Sequence, residues 1–142
     1  MSVPAMARPA LLTVLALVSI TAFLGGLALV IGALAPSLAT VLSPPAAYLA
    51  DTPFSSYLLP GLLLAVVIGG LHAVAFVMVL RRHPWADLAS AVAAFAVLIW
   101  IFVQMIYIPF SFLQAVYFVA GVVEAGLVMV RLDLFGRSAE TA

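Results

Sequence analysis

The stretch LASAVAAFAVLIWIFVQMIYIPFSFLQAVYFVAGVVEAGLVMV, residues 88–130, decides the fold. As one helix rising 1.5 Å per residue, its about 43 residues would reach ~65 Å, twice the ~30 Å hydrocarbon thickness of a bilayer. It must therefore fold back on itself. Pro109 marks the place, because it lacks an amide proton and biases Ile108 away from helical geometry. Tyr107-Ile108-Pro109-Phe110-Ser111 then becomes the turn of a tight helical hairpin.

Working outward, no charged residue lies between Arg8 and Asp51, between Asp51 and Arg81, or between Asp87 and Glu124. Of 142 residues, 68% are apolar and 7% charged, so the lipid bilayer is the solvent of this chain. The sequence predicts an all-α, polytopic membrane protein. Four transmembrane helices, at about 9–34, 58–81, 85–107 and 109–131, form a bundle that is one domain over residues 1–142. An outer loop at 35–57 separates the first two. The apolar stretch after Arg8, followed by Ala33-Leu34-Ala35, has the outline of a secretory signal. It is far longer than the ~7–15 residues of a signal's apolar region and reads as a retained helix.

Arginine placement gives direction. Arg8 precedes the first helix, Arg81 and Arg82 join the second to the third, and Arg131 and Arg137 follow the fourth. The other two connections carry no Lys or Arg. The positive-inside rule thus predicts a multi-pass protein of the cell membrane with both termini cytoplasmic.

The loop holds Pro36, Pro44, Pro45 and Pro53. Ser43 before Pro44 and Thr52 before Pro53 each pair an N-cap residue with proline at a first helical position. Two short interfacial helices are expected there, the second running through Pro53–Tyr57 into the second span. Tyr48, Phe54 and Tyr57 suit the aromatic belt. The loop could simply cover the bundle end or gate a ligand. Pro53-Phe54-Ser55 with Gly70-Leu71 is echoed by Pro109-Phe110-Ser111 with Gly126-Leu127. Five matches in so simple a sequence do not separate duplication from coincidence.

Polar side chains at membrane depth face the bundle and find partners, since an acidic or basic group there costs roughly 2.5–3.5 kcal/mol. Four stand out: His72, Gln104, Gln114 and Glu124. Glu124 falls past the midplane, ~6 Å to the cytoplasmic side when counted inward from Pro109, and His72 comes out near the same depth. A Glu–His contact is possible if the second and fourth helices are neighbours. It would serve either as a protonation site in a transport path or as an interhelical polar contact. Gln104 and Gln114 flank the turn, where they either bond each other across the hairpin or line a polar pocket. Heptad spacing puts Gln104 with Ser90, Ala93, Val97, Trp100 and Tyr107, and Gln114 with Ser111, Tyr117, Gly121 and Glu124. Small-xxx-small pairs nominate Gly26, Gly32, Gly69, Gly70 and Gly121 as helix-packing positions.

Several chemistries are disfavoured. Without cysteine there is no disulfide or thiolate metal site, and without lysine no phosphate-binding loop of the usual kind. No pair of ligand side chains shares one helix face at metal spacing, so no metal, cofactor or catalytic set is assigned. Zero formal net charge and few cations offer no surface for nucleic acid. Asp51 is alone in its loop, and His83-Pro84-Trp85 with Asp87 reads as a helix start.

The run Thr52-Pro53-Phe54-Ser55-Ser56-Tyr57-Leu58-Leu59-Pro60-Gly61, ending in Gly69-Gly70, and the later Ser111-x-x-Gln114-x-x-Tyr117-Phe118-x-x-Gly121 resemble small uncharacterised four-helix bacterial integral membrane proteins. That resemblance implies a fold and no activity. The expected partners are the lipid bilayer and either other membrane-protein subunits or a second copy of the chain. The expected role is a non-enzymatic accessory or structural subunit. The alternative is a proton-linked or lipophilic-solute transporter using Glu124 and His72.

Overall fold

The computed structural model describes residues 3–133 and contains, among them, helices and no strands. Helix α1 runs Val3–Leu34, α2 Pro36–Leu42, α3 Leu58–Leu80, α4 Ala86–Tyr107 and α5 Phe112–Arg131. A 3-10 turn, Ala46–Leu49, follows α2. Helices α1, α3, α4 and α5 are each long and apolar enough to cross a membrane. They form an antiparallel four-helix bundle in which α1 packs on α3, α3 on α4, α4 on α5 and α5 back on α1. Helices α3 and α5 thus stand on a diagonal. Large apolar side chains such as Leu24, Phe95, Ile99 and Phe118 cover the outside of the bundle.

The interior has two apolar layers. Leu11, Leu15, Ala75, Val79, Ala93 and Val128 fill the half nearer the arginines. Val18, Ala22, Ile68 and Val97 fill the half nearer the loop. Helix contacts are close where side chains are absent. A Cβ on Gly26 would lie 2.5 Å from the Gly61 carbonyl oxygen, and one on Gly61 would lie 2.8 Å from that of Gly26. Cβ atoms on Gly69 and Gly121 would meet Phe23 and the Val97–Leu98 pair, respectively. Gly32 lies under Ser43 and Leu42 of the loop. Gly70 is different: nothing of this chain lies within 4 Å of a Cβ built there, so it makes no close crossing inside the bundle. Gly61, which shares the tightest crossing, is one that spacing from the span's interior did not nominate.

The differences from the sequence reading have local causes. Helix α1 begins before Pro9, not at it, because proline removes only its own amide and the flanking turns continue. The fourth helix begins at Phe112, with Ser111 as N-cap, because extended backbone at Ser111 separates the helix from Pro109. In the loop, Pro36 itself opens α2 at the first helical position, while Ser43 ends that helix. Pro53–Tyr57 is not helical: the Thr52 hydroxyl accepts from the Phe54 amide at 3.2 Å and donates to the Leu49 carbonyl at 2.9 Å, closing a turn instead. Tyr57 is no belt residue either. It is buried and donates to the Pro45 carbonyl at 2.9 Å, joining the two limbs of the loop.

A further difference lies inside α3. Leu64–Gly69 is π-helical between two α-helical halves. A π turn takes up one extra residue and so resets the helix by roughly 100°, one residue's rotation. In an unbroken α-helix, Gly61 and His72 would share nearly one face. The reset lets Gly61 face α1 while His72 faces the bundle centre.

The described arginines gather at one end. Arg8 donates through Nη2 to the Leu80 carbonyl at 3.1 Å, placing a cation on the C-terminal end of α3. Arg131 at the end of α5 pairs with Asp87 in the first turn of α4. Arg82 takes a left-handed backbone (φ 55°) in the connection between α3 and α4. Arg137 lies outside the described residues.

Candidate functional site

The bundle's two layers are separated by polar groups. His72 and Glu124 are both fully buried, and His72 Nε2 lies 3.2 Å from Glu124 Oε2. The helices carrying them are not adjacent, so the contact spans the diagonal. What makes room is small: the register set by Gly121 against Val97 and Leu98 puts Glu124 level with Ala93 and Ala94, both fully buried. The approach is too oblique for a hydrogen bond, and His72 Nε2 and both carboxyl oxygens of Glu124 have no hydrogen-bond partner. Ion-pair reach without hydrogen-bond alignment is the geometry of the pair.

The other imidazole nitrogen is anchored. His72 Nδ1 lies 2.7 Å from the Ile68 carbonyl oxygen, which can only accept, so Nδ1 carries a proton. Ser19 of α1 donates to the next carbonyl, that of Gly69, at 3.0 Å. Side-chain donors thus reach the last two carbonyls of the π-helical stretch. Such stretches recur at functional sites because they aim nearby side chains in directions an α-helix does not offer. Ser90 of α4, also fully buried, donates to the Ala86 carbonyl of its own helix at 2.9 Å.

The two glutamines do not form a pair. Gln114 is buried and closes a capping box with Ser111: its Oε1 accepts from the Ser111 amide at 2.9 Å, and the Ser111 hydroxyl accepts from the Gln114 amide at 3.4 Å. No hydrogen bond joins it to Gln104 among the described residues. Gln104 is half-buried near the turn, away from His72 and Glu124. Among the four polar candidates, therefore, the fold unites only His72 and Glu124.

A second concavity lies at the loop end. An open depression of about 480 Å³ is bordered by Gly32, Thr40, Ser43, Pro45, Ser56 and Tyr57, among others. Its polar side chains are hydroxyls, without a charged group. Burial, and secondarily neighbouring Tyr48, hold the Tyr57 phenol above its ordinary value of 10.0, so Tyr57 remains a donor. Among the described residues, no three His, Asp or Glu side chains gather as a metal site would require. Sequence reasoning missed Ser19 and Gly61. Ser19 was legible as one of three hydroxyls, with Thr13 and Thr21, in an otherwise apolar helix, but its target carbonyl was not.

No protein-family model, curated protein or solved structure matches this chain.

Proposed function

We propose that this chain is a non-enzymatic integral membrane protein, an accessory or structural subunit of a larger membrane assembly or of a homo-oligomer. One observation carries the reading: the buried polar side chains of the bundle face groups within the chain itself. Ser19, His72 and Ser90 donate to carbonyls, Glu124 faces His72, Gln114 caps its own helix, and Arg131 pairs with Asp87. Apart from Thr13 and Thr21, whose hydroxyls donate to carbonyls of their own helix, what faces outward between the two ends is apolar and suits lipid or another apolar helix. The gathering of Arg8, Arg81, Arg82 and Arg131 at one end supports a cell-membrane orientation with both chain ends in the cytoplasm. Purification in mild detergent followed by crosslinking tests the proposal. An oligomer or a co-purifying subunit is the expected result, and a strictly monomeric species without partners would overturn it.

A specific observation favours a second reading, proton-linked transport. Glu124 Oε1 is buried without any hydrogen-bond partner, and ionisable groups at membrane depth commonly lie on proton or solute paths. Glu124→Gln in a liposome flux assay decides it, since unchanged flux removes the carboxyl group from any such path.

A further inference from the structure

We infer that His72 and Glu124 form a one-proton site: in the folded bundle they hold a single proton between Nε2 and Oε2, across the diagonal from α3 to α5. The inference goes beyond the proposed role and holds for a subunit or a carrier alike.

It starts from the Ile68 carbonyl. Because that oxygen accepts at 2.7 Å, the Nδ1 proton is fixed and only Nε2 varies. Three occupancies of the Nε2–Oε2 contact are then possible. With no proton, a lone pair on nitrogen faces an ionised carboxylate at 3.2 Å, leaving an uncompensated negative charge in a fully buried position. With two protons, two donors face each other, and the site carries an uncompensated positive charge. With one, the proton sits either on the carboxyl group or on Nε2, and the net charge of the pair is zero both ways. Only this occupancy leaves no unpaired charge in apolar surroundings.

Nothing nearby alters that balance. On α1 the nearest polar group is Ser19, already donating to Gly69, and its only charge is Arg8, engaged with the end of α3. On α4 it is Ser90, donating to Ala86, and the one charged group is Asp87, paired with Arg131 of α5. Arg131 lies seven residues from Glu124, ~10 Å along the axis. Arg81 and Arg82 are exposed beyond the end of α3. The proton consequently belongs to the pair and leaves only when the diagonal contact opens.

The test is nitrogen NMR of the full chain, labelled at histidine, in detergent micelles. The chain has two histidines, and the second is a built-in reference. His83 Nδ1 accepts from the Trp85 amide at 3.2 Å, so neutral His83 carries its proton on Nε2, the opposite tautomer. The expected result is a His72 protonated on Nδ1 and, with the Glu124 carboxyl carbon labelled as well, one proton in total over Nε2 and that carboxyl group. In Glu124→Gln a neutral amide stands where the carboxyl group was, and the same Nδ1 tautomer is expected. A bare Nδ1 on His72, or a count of zero or two protons over Nε2 and the Glu124 carboxyl group in the wild-type protein, would overturn the assignment. So would an Nε2-protonated His72 in the glutamine variant.

Discussion

Gly26→Ala should loosen the α1–α3 crossing, and the size of the effect can be worked out from its neighbours. The added Cβ would lie 2.5 Å from the Gly61 carbonyl oxygen and 2.7 Å from both the nitrogen and the Cβ of Ala65. Ordinary contact begins near 3.4 Å, and all three atoms are backbone or rigidly attached to it, so no side chain can swing away. The helices must part by about 1 Å. A gap of that size forfeits roughly a quarter to a half of the dispersion attraction along the contact. Overpacking of this kind costs about 1–3 kcal/mol, offset by up to ~1 kcal/mol from alanine's better helix propensity. A net loss of about 1–2 kcal/mol follows from these two terms. Gly70→Ala and Gly126→Ala are matched controls, since a Cβ at either position meets nothing within 4 Å. They should be neutral or slightly stabilising. Unfolding in mixed micelles, followed by helical circular dichroism, reads all three variants. If Gly26→Ala is as stable as Gly70→Ala, the close crossing is wrong.

Ser111→Ala should lower stability by about 1 kcal/mol through loss of the N-cap, with faster amide exchange in the first turn of α5. Gln114→Ala should cost more than Gln104→Ala, since only Gln114 closes the capping box; equal costs would contradict that assignment. Tyr57 gives a pH dependence at the loop end. Because its folded value is raised above 10.0, the stabilisation it supplies is fully present below 10.0 and is lost as pH rises through the folded value. Absorbance titration of wild type against Tyr57→Phe should show the difference phenolate forming above pH 10.0; formation at or below that pH would refute the buried staple.

The spans were legible because bilayer thickness fixes how many apolar residues a crossing needs, and Pro109 left one place for the long tract to turn. The level of His72 and Glu124 was legible for the same reason: helical rise converts residue number to depth. Their azimuth was less so. From sequence the contact depends on the second and fourth helices being neighbours, yet α3 and α5 face each other diagonally across a bundle that buries small Ala93 and Ala94. Leu64–Gly69 reads as an ordinary apolar helix, because a π turn is fixed by what the two halves pack against, not by local composition. Ser111-x-x-Gln114 did carry a readable signal, the capping-box spacing, which was outweighed by the symmetry of two glutamines about a turn. Gly61 followed Pro60 and looked like part of a helix start; its role depends on Gly26, 35 positions earlier.

The diagonal contact between His72 and Glu124 is the centre of the account, and a double-mutant cycle measures it directly. Unfolding free energies of His72→Leu, Glu124→Leu and the double variant should show strong coupling. Each single change leaves one buried polar group without its partner, at about 3–5 kcal/mol if the survivor is charged. The double variant removes both and should cost less than the two single changes together by at least about 1 kcal/mol. Strict additivity of the two substitutions would mean that the imidazole and the carboxyl group do not meet.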